Sequence, residues 1–95
     1  MPAVGVLHLE LHLDYAQSIK EKRNVIRGLK ARLRSRFNVA IAETGHQDSL
    51  TRGLVAVVTV APSRPYAEAL LQKVEDEAAS LLGATLTGSG VEWME

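Results

Sequence analysis

Ninety-five residues, 46% of them hydrophobic, suffice for one folded core and leave no room for a second, so residues 1–95 are read as a single domain. The absence of cysteine excludes disulfide staples, thiolate metal sites and cysteine nucleophiles together. A formal net charge of zero conceals a strong asymmetry: residues 18–37 hold eight of the eleven Lys and Arg side chains against the single acid Glu21.

Residues 3–13, AVGVLHLELHL, alternate strictly. This predicts a half-buried strand with Leu7, Leu9, Leu11 and Leu13 on the core face and Val6, His8, Glu10 and His12 on the other. No signal peptide or membrane span fits the N-terminus, and a cytoplasmic protein with no membrane partner is expected. Residues 18–37, SIKEKRNVIRGLKARLRSRF, predict one amphipathic helix. Ser18 and Glu21 form a capping box, each side chain taking up a backbone N–H of the first turn. Ile19, Ile26, Leu29, Leu33 and Phe37, with Val25 at the flank, make the apolar stripe. Lys20, Arg23, Arg27, Lys30 and Arg34 recur at the same period on another face. Asn38 is expected to end the helix in the left-handed region, which Asn tolerates better than most residues.

A second strand is expected at residues 39–44, then a polar connection, GHQDSLTRG, at 45–53. Residues 54–61, LVAVVTVA, are rich in β-branched side chains and predict a strand covered on both faces, the two strands forming an antiparallel hairpin. Ser63 is placed as the N-cap of a second helix, with Pro65 in its first turn and Gly83 as its stop. Its apolar face comprises Tyr66, Ala67, Leu70, Leu71, Val74, Ala78, Leu81 and Leu82. A last strand carries Val91 and Trp93 on one face, with a bulge or bend expected at 88–90, GSG.

The order strand–helix–strand–strand–helix–strand, with a right-handed crossover over each helix, predicts an α+β ferredoxin-like sandwich. Its four-stranded antiparallel sheet has strand order 4-1-3-2 and both helices on one face. The other face is left open, yet the strand at 54–61 is apolar on both sides. A homodimer or another partner covering that face is therefore expected.

The leucine beat of the first strand, S-[LI]-K-E-K-R at residues 18–23, R-F-N-V at 36–39 and A-E-x-G-x-Q-D at 42–48 together resemble the YlxP-like family of small bacterial proteins. The resemblance spans essentially the whole chain and implies the same ferredoxin-like fold. It implies no known activity. Members often sit beside genes for ribosome maturation and translation initiation, which implies an RNA-related setting by association. His46 stands where that family often has an acid, and GSG at 88–90 interrupts the last strand.

The basic helix face is the leading candidate site. Lys20, Arg23, Arg27, Lys30 and Arg34 would contact RNA or the ribosome, as a non-enzymatic function requiring no cofactor. Like-charged i,i+4 neighbours such as Arg23 and Arg27 destabilise the helix by only a few tenths of a kcal/mol each. The competing reading is that Glu68, Glu75, Asp76 and Glu77 of the second helix neutralise the ridge. Base stacking is not supported, because Tyr15, Phe37, Tyr66 and Trp93 all lie off the first and third strands. A different class of function, an enzyme or small-molecule regulatory domain, would use His46, Gln47, Asp48 and Arg52 of the 45–53 loop or a dimer interface. No catalytic set is assigned, because no acyl-transfer or phosphate-loop spacing is present. No metal site is assigned either: His8 and His12 are about 13 Å apart along a strand and cannot share an ion.

Overall fold

Both helices begin on a local capping signal. In the computed structural model, which describes residues 1–94, β1 (Ala3–His12) leads into α1 (Ile19–Arg36), β2 (Ala40–Gly45) and β3 (Arg52–Ala61). α2 (Arg64–Leu82), a 3-10 turn (Gly83–Thr85) and β4 (Leu86–Met94) complete the order. Ser18 caps α1 by accepting from the Glu21 amide at 3.1 Å, as expected, whereas Glu21 Oε2 accepts from the amide of Gln17, one residue ahead of the cap and not in the first turn, at 3.1 Å. Ser63 caps α2 through the Tyr66 amide, and Gly83 closes it with φ 56°, where a side chain would be strained.

The strands form one antiparallel sheet ordered β2-β3-β1-β4, the expected 4-1-3-2 read from the other edge. This is the ferredoxin-like arrangement. Leu7, Leu9 and Leu11 of β1 and Val55 and Val57 of β3 pack against Ile26, Leu29 and Leu33 of α1 and Leu71, Val74 and Ala78 of α2. The opposite sheet face carries no helix. Among the described residues no helix is long and apolar enough to cross a membrane.

Four local expectations are corrected. Asn38 is not left-handed: α1 ends at Phe37 in extended backbone, φ −135°, whose amide still reaches the Leu33 carbonyl at 2.9 Å. β3 starts two residues early, at Arg52, because Gly53 and Arg52 continue the pairing with Leu11 and His12. The irregularity in β4 falls at Thr87, where the register against Glu10 and Leu11 slips, while Gly88, Ser89 and Gly90 stay paired. Gly88 serves another purpose: a Cβ there would lie 2.7 Å from Glu10 Oε2, so its bareness gives the carboxylate room. Finally, the buried stripe of α2 is narrower than expected. Tyr66 lies about 100° round from Ala67, and Leu81 belongs to the last turn; both are exposed.

Candidate functional site

The eight cations of residues 18–37 separate into three groups. Lys22 turns inward and is 2% exposed. Its Nζ donates to the carbonyls of His46 at 2.5 Å and Ser49 at 2.8 Å, and lies 3.1 Å from Glu43 Oε2. The ion pair is off the hydrogen-bond direction, so Oε2 has a charge partner without an aligned donor. Arg32 and Arg36 lean toward α2, where both contact Glu77, at 2.9 and 3.3 Å. Lys20, Arg23, Arg27, Lys30 and Arg34 remain, and none of these five has a carboxylate within ion-pair distance among the described residues.

Of the α2 acids expected to neutralise the ridge, Glu77 alone reaches α1, and it takes the other arginine row. Glu68 faces Arg64 at 3.7 Å, Glu75 and Asp76 accept from Gln72, and Glu75 also accepts from Ser89 Oγ. The ridge flanks edge strand β2. Arg34 Nη2 donates to the Ile41 carbonyl at 3.3 Å, which ties the helix to the strand edge. Arg23, Arg27, Lys30 and Arg34 line a groove of about 290 Å³ between α1 and β2, floored by Ile26 and Ala31. Glu43 is the one acid lining it, and its Oε2 turns toward Lys22. Lys20 lies one turn outside the groove, at the helix start.

The 45–53 loop is built, not merely solvated. His46 adopts φ 58°, and its carbonyl accepts from both Lys22 and the Ser49 amide. Ser49 Oγ accepts from the amides of Thr51 and Arg52, and Gln47 donates to the Glu43 carbonyl at 3.1 Å. Asp48 is exposed at the tip and does not join His46 and Arg52. On the open face His8 bonds Glu92 at 3.1 Å. No group of three or more His, Asp or Glu side chains among the described residues is placed to hold a metal ion. Trp93 lies under the Arg64 guanidinium at 4.5 Å, and its neighbour across the sheet is Gly5, on the helix side, so among the described residues the open face lacks an aromatic platform.

Lys22 is the residue that reasoning from sequence passed over. The signal was there: 22 fills the gap between Ile19 and Ile26 in the apolar stripe. A lysine in a core position demands a buried partner, and Glu43 with the 46–49 loop supplies it.

Residues 4–89 match the family described as "Protein of unknown function (DUF503)". The chain is 37% identical to "Uncharacterized protein YlxP" of Bacillus subtilis (strain 168) over 71 residues, covering 75% of this chain and 77% of that one. Among solved structures, the de novo designed protein Foldit4 superposes with a TM-score of 0.59 at 10% identity, over 100% of this chain and 98% of its own. A dimeric ferredoxin-like protein of unknown function from Thermobifida fusca matches with a TM-score of 0.45 at 12% identity, over 96% and 90% of the two chains. The likeness to Foldit4 speaks for the fold alone, whereas the family match at residues 4–89 runs through both the basic helix and the loop it holds: the chain belongs to the DUF503 family of proteins of unknown function.

Proposed function

We propose that the protein is a non-enzymatic, cytoplasmic binding protein that docks on RNA, free or in the ribosome, through Lys20, Arg23, Arg27, Lys30 and Arg34. The observation that carries this reading is the division of labour on α1. Two arginines are taken up by Glu77, while among the described residues the five ridge cations have no carboxylate within ion-pair distance. From Lys20 to Arg34 the ridge runs about 21 Å along the helix, enough to track a backbone over several phosphates. With no aromatic surface on the open sheet, recognition is directed at the phosphates and is weakly sequence-selective. Contact with about five phosphates of single-stranded RNA gives a log–log salt slope near −3.5, or roughly a hundredfold loss of affinity from 50 to 200 mM salt. Filter binding of single-stranded and structured RNA tests this. Arg23→Glu with Arg27→Glu is expected to bring the slope to about −2 and weaken binding at least about tenfold at low salt. Wild-type protein that does not retain RNA, or a variant that binds as well, would reject the ridge.

We further infer that a second copy covers the open sheet face. Val4, Val6, Ala56 and Val58 are only half-buried there, Ala40 and Ala42 are exposed, and Val60 is 63% exposed. Four strands at about 4.8 Å spacing and about 30 Å length offer roughly 600 Å² per protomer. A face-to-face pair would bury about 1,200 Å² in total, the lower limit for a specific interface. The dimer is therefore expected to be concentration-dependent. Sedimentation velocity should show dimer at high concentration, and Val58→Asp should yield monomer throughout. A wild-type chain that stays monomeric at high concentration would exclude the pairing.

A further inference from the structure

At one end of the open face, three strands and a loop bring hydrogen-bond donors together. His12 and Arg52 are direct cross-strand partners in β1 and β3, so their side chains stand side by side with Cα atoms about 5 Å apart. His46 is aimed from the end of β2, its backbone fixed in the left-handed region and its carbonyl held by Lys22 and the Ser49 amide. Arg52 is fixed in turn by its amide on Ser49 Oγ. With Glu10 and Thr87 these residues line a cleft of about 200 Å³. We propose that this cleft binds a small phosphate monoester.

The donor set fits an oxyanion. Arg52 offers a planar fork of N–H groups that matches phosphate geometry, and each imidazole adds at least one N–H. None of the three has a carboxylate within ion-pair distance among the described residues. The backbone under two of them is set before any ligand arrives: Lys22 and the Ser49 amide hold the His46 carbonyl, and Ser49 Oγ holds the Arg52 amide. The volume lies below the range of about 300–1,000 Å³ usual for organic ligands, which favours a phosphate with a few attached atoms. Glu10 selects further. Its carboxylate leans over Gly88 and its carbonyl accepts from Thr87 Oγ1 at 3.2 Å. An ionised carboxylate only accepts hydrogen bonds, so it favours a ligand with a hydroxyl or ammonium beside the phosphate and repels a bare anion. The cleft lies at the loop end of the sheet, at the rim of the face offered to a second copy and at the opposite end from Val4, Val6, Val58 and Val60. It is also away from the groove between α1 and β2 and stands apart from the RNA reading.

The three histidines provide an internal control, since His8 is on the same sheet face but bonded to Glu92. Titration with glycerol 3-phosphate at constant ionic strength, followed by NMR of the imidazole side chains, should move the His12 and His46 resonances saturably and leave His8 in place. Inorganic phosphate should bind several-fold more weakly. Arg52→Ala should weaken binding at least about tenfold, whereas Arg23→Glu with Arg27→Glu should leave it unchanged. Equal movement of all three histidines, the same response to chloride, or full binding by Arg52→Ala would overturn the site.

Discussion

Lys22→Met is expected to destabilise the protein by about 3–5 kcal/mol, the loss typical when one partner of a buried ion pair is removed. Methionine keeps most of the volume, so the loss reads the ammonium and not a cavity. Without it the Ser49 carbonyl loses its donor at 2.8 Å and the His46 carbonyl keeps only the Ser49 amide at 3.0 Å. Glu43, its side chain 22% exposed, is left with no cation within ion-pair distance among the described residues. Glu43→Gln should be milder, about 1–2 kcal/mol, because two carbonyls still hold the ammonium and Oε2 was never aligned with it. Urea denaturation of both single variants and the double variant measures the terms and their coupling. A loss below about 1 kcal/mol in Lys22→Met would mean that the lysine reaches water and that the 46–49 loop stands without it.

That pair also marks how far the sequence could be read. Period-two alternation in β1 and the paired caps at Ser18 and Ser63 made the element order legible, because each is a local signal with one physical meaning. The five ridge cations were legible for the same reason: the helical period that gathers them also separates them from Arg32 and Arg36. What stayed hidden was long-range. Lys22 meets Glu43 across 21 positions through the packing of α1 on β2, and His12 meets Arg52 across 40 through strand register, neither of which a local pattern fixes. The helix stop was misplaced for a related reason. Asn38 has the chemistry for a left-handed turn, but a chain that must enter edge strand β2 two residues later continues extended from Phe37. In β4 the pair of glycines suggested a bend, whereas the register puts the slip at Thr87 and gives Gly88 the task of admitting Glu10.

Leu33→Ala tests the helix phasing on which the ridge itself depends. Leu33 is fully buried in the core cluster, between the exposed Arg32 and Arg34. Removing its branched end should cost about 2–5 kcal/mol, part lost transfer energy and part cavity. For a domain of this size each kcal/mol shifts Tm by roughly 4–8 °C, so thermal unfolding should fall by at least about 8 °C. The substitution changes no charge. Below its unfolding temperature the variant should therefore retain RNA with an unaltered salt slope, while Arg23→Glu with Arg27→Glu should lose RNA at near-normal stability, since both side chains are exposed. Crossed outcomes are equally informative. A loss below about 1 kcal/mol would place Leu33 at the surface and rotate the cations away from the groove. A folded Leu33→Ala protein with reduced RNA affinity would make the shape of α1, and not its row of charges, the determinant of docking.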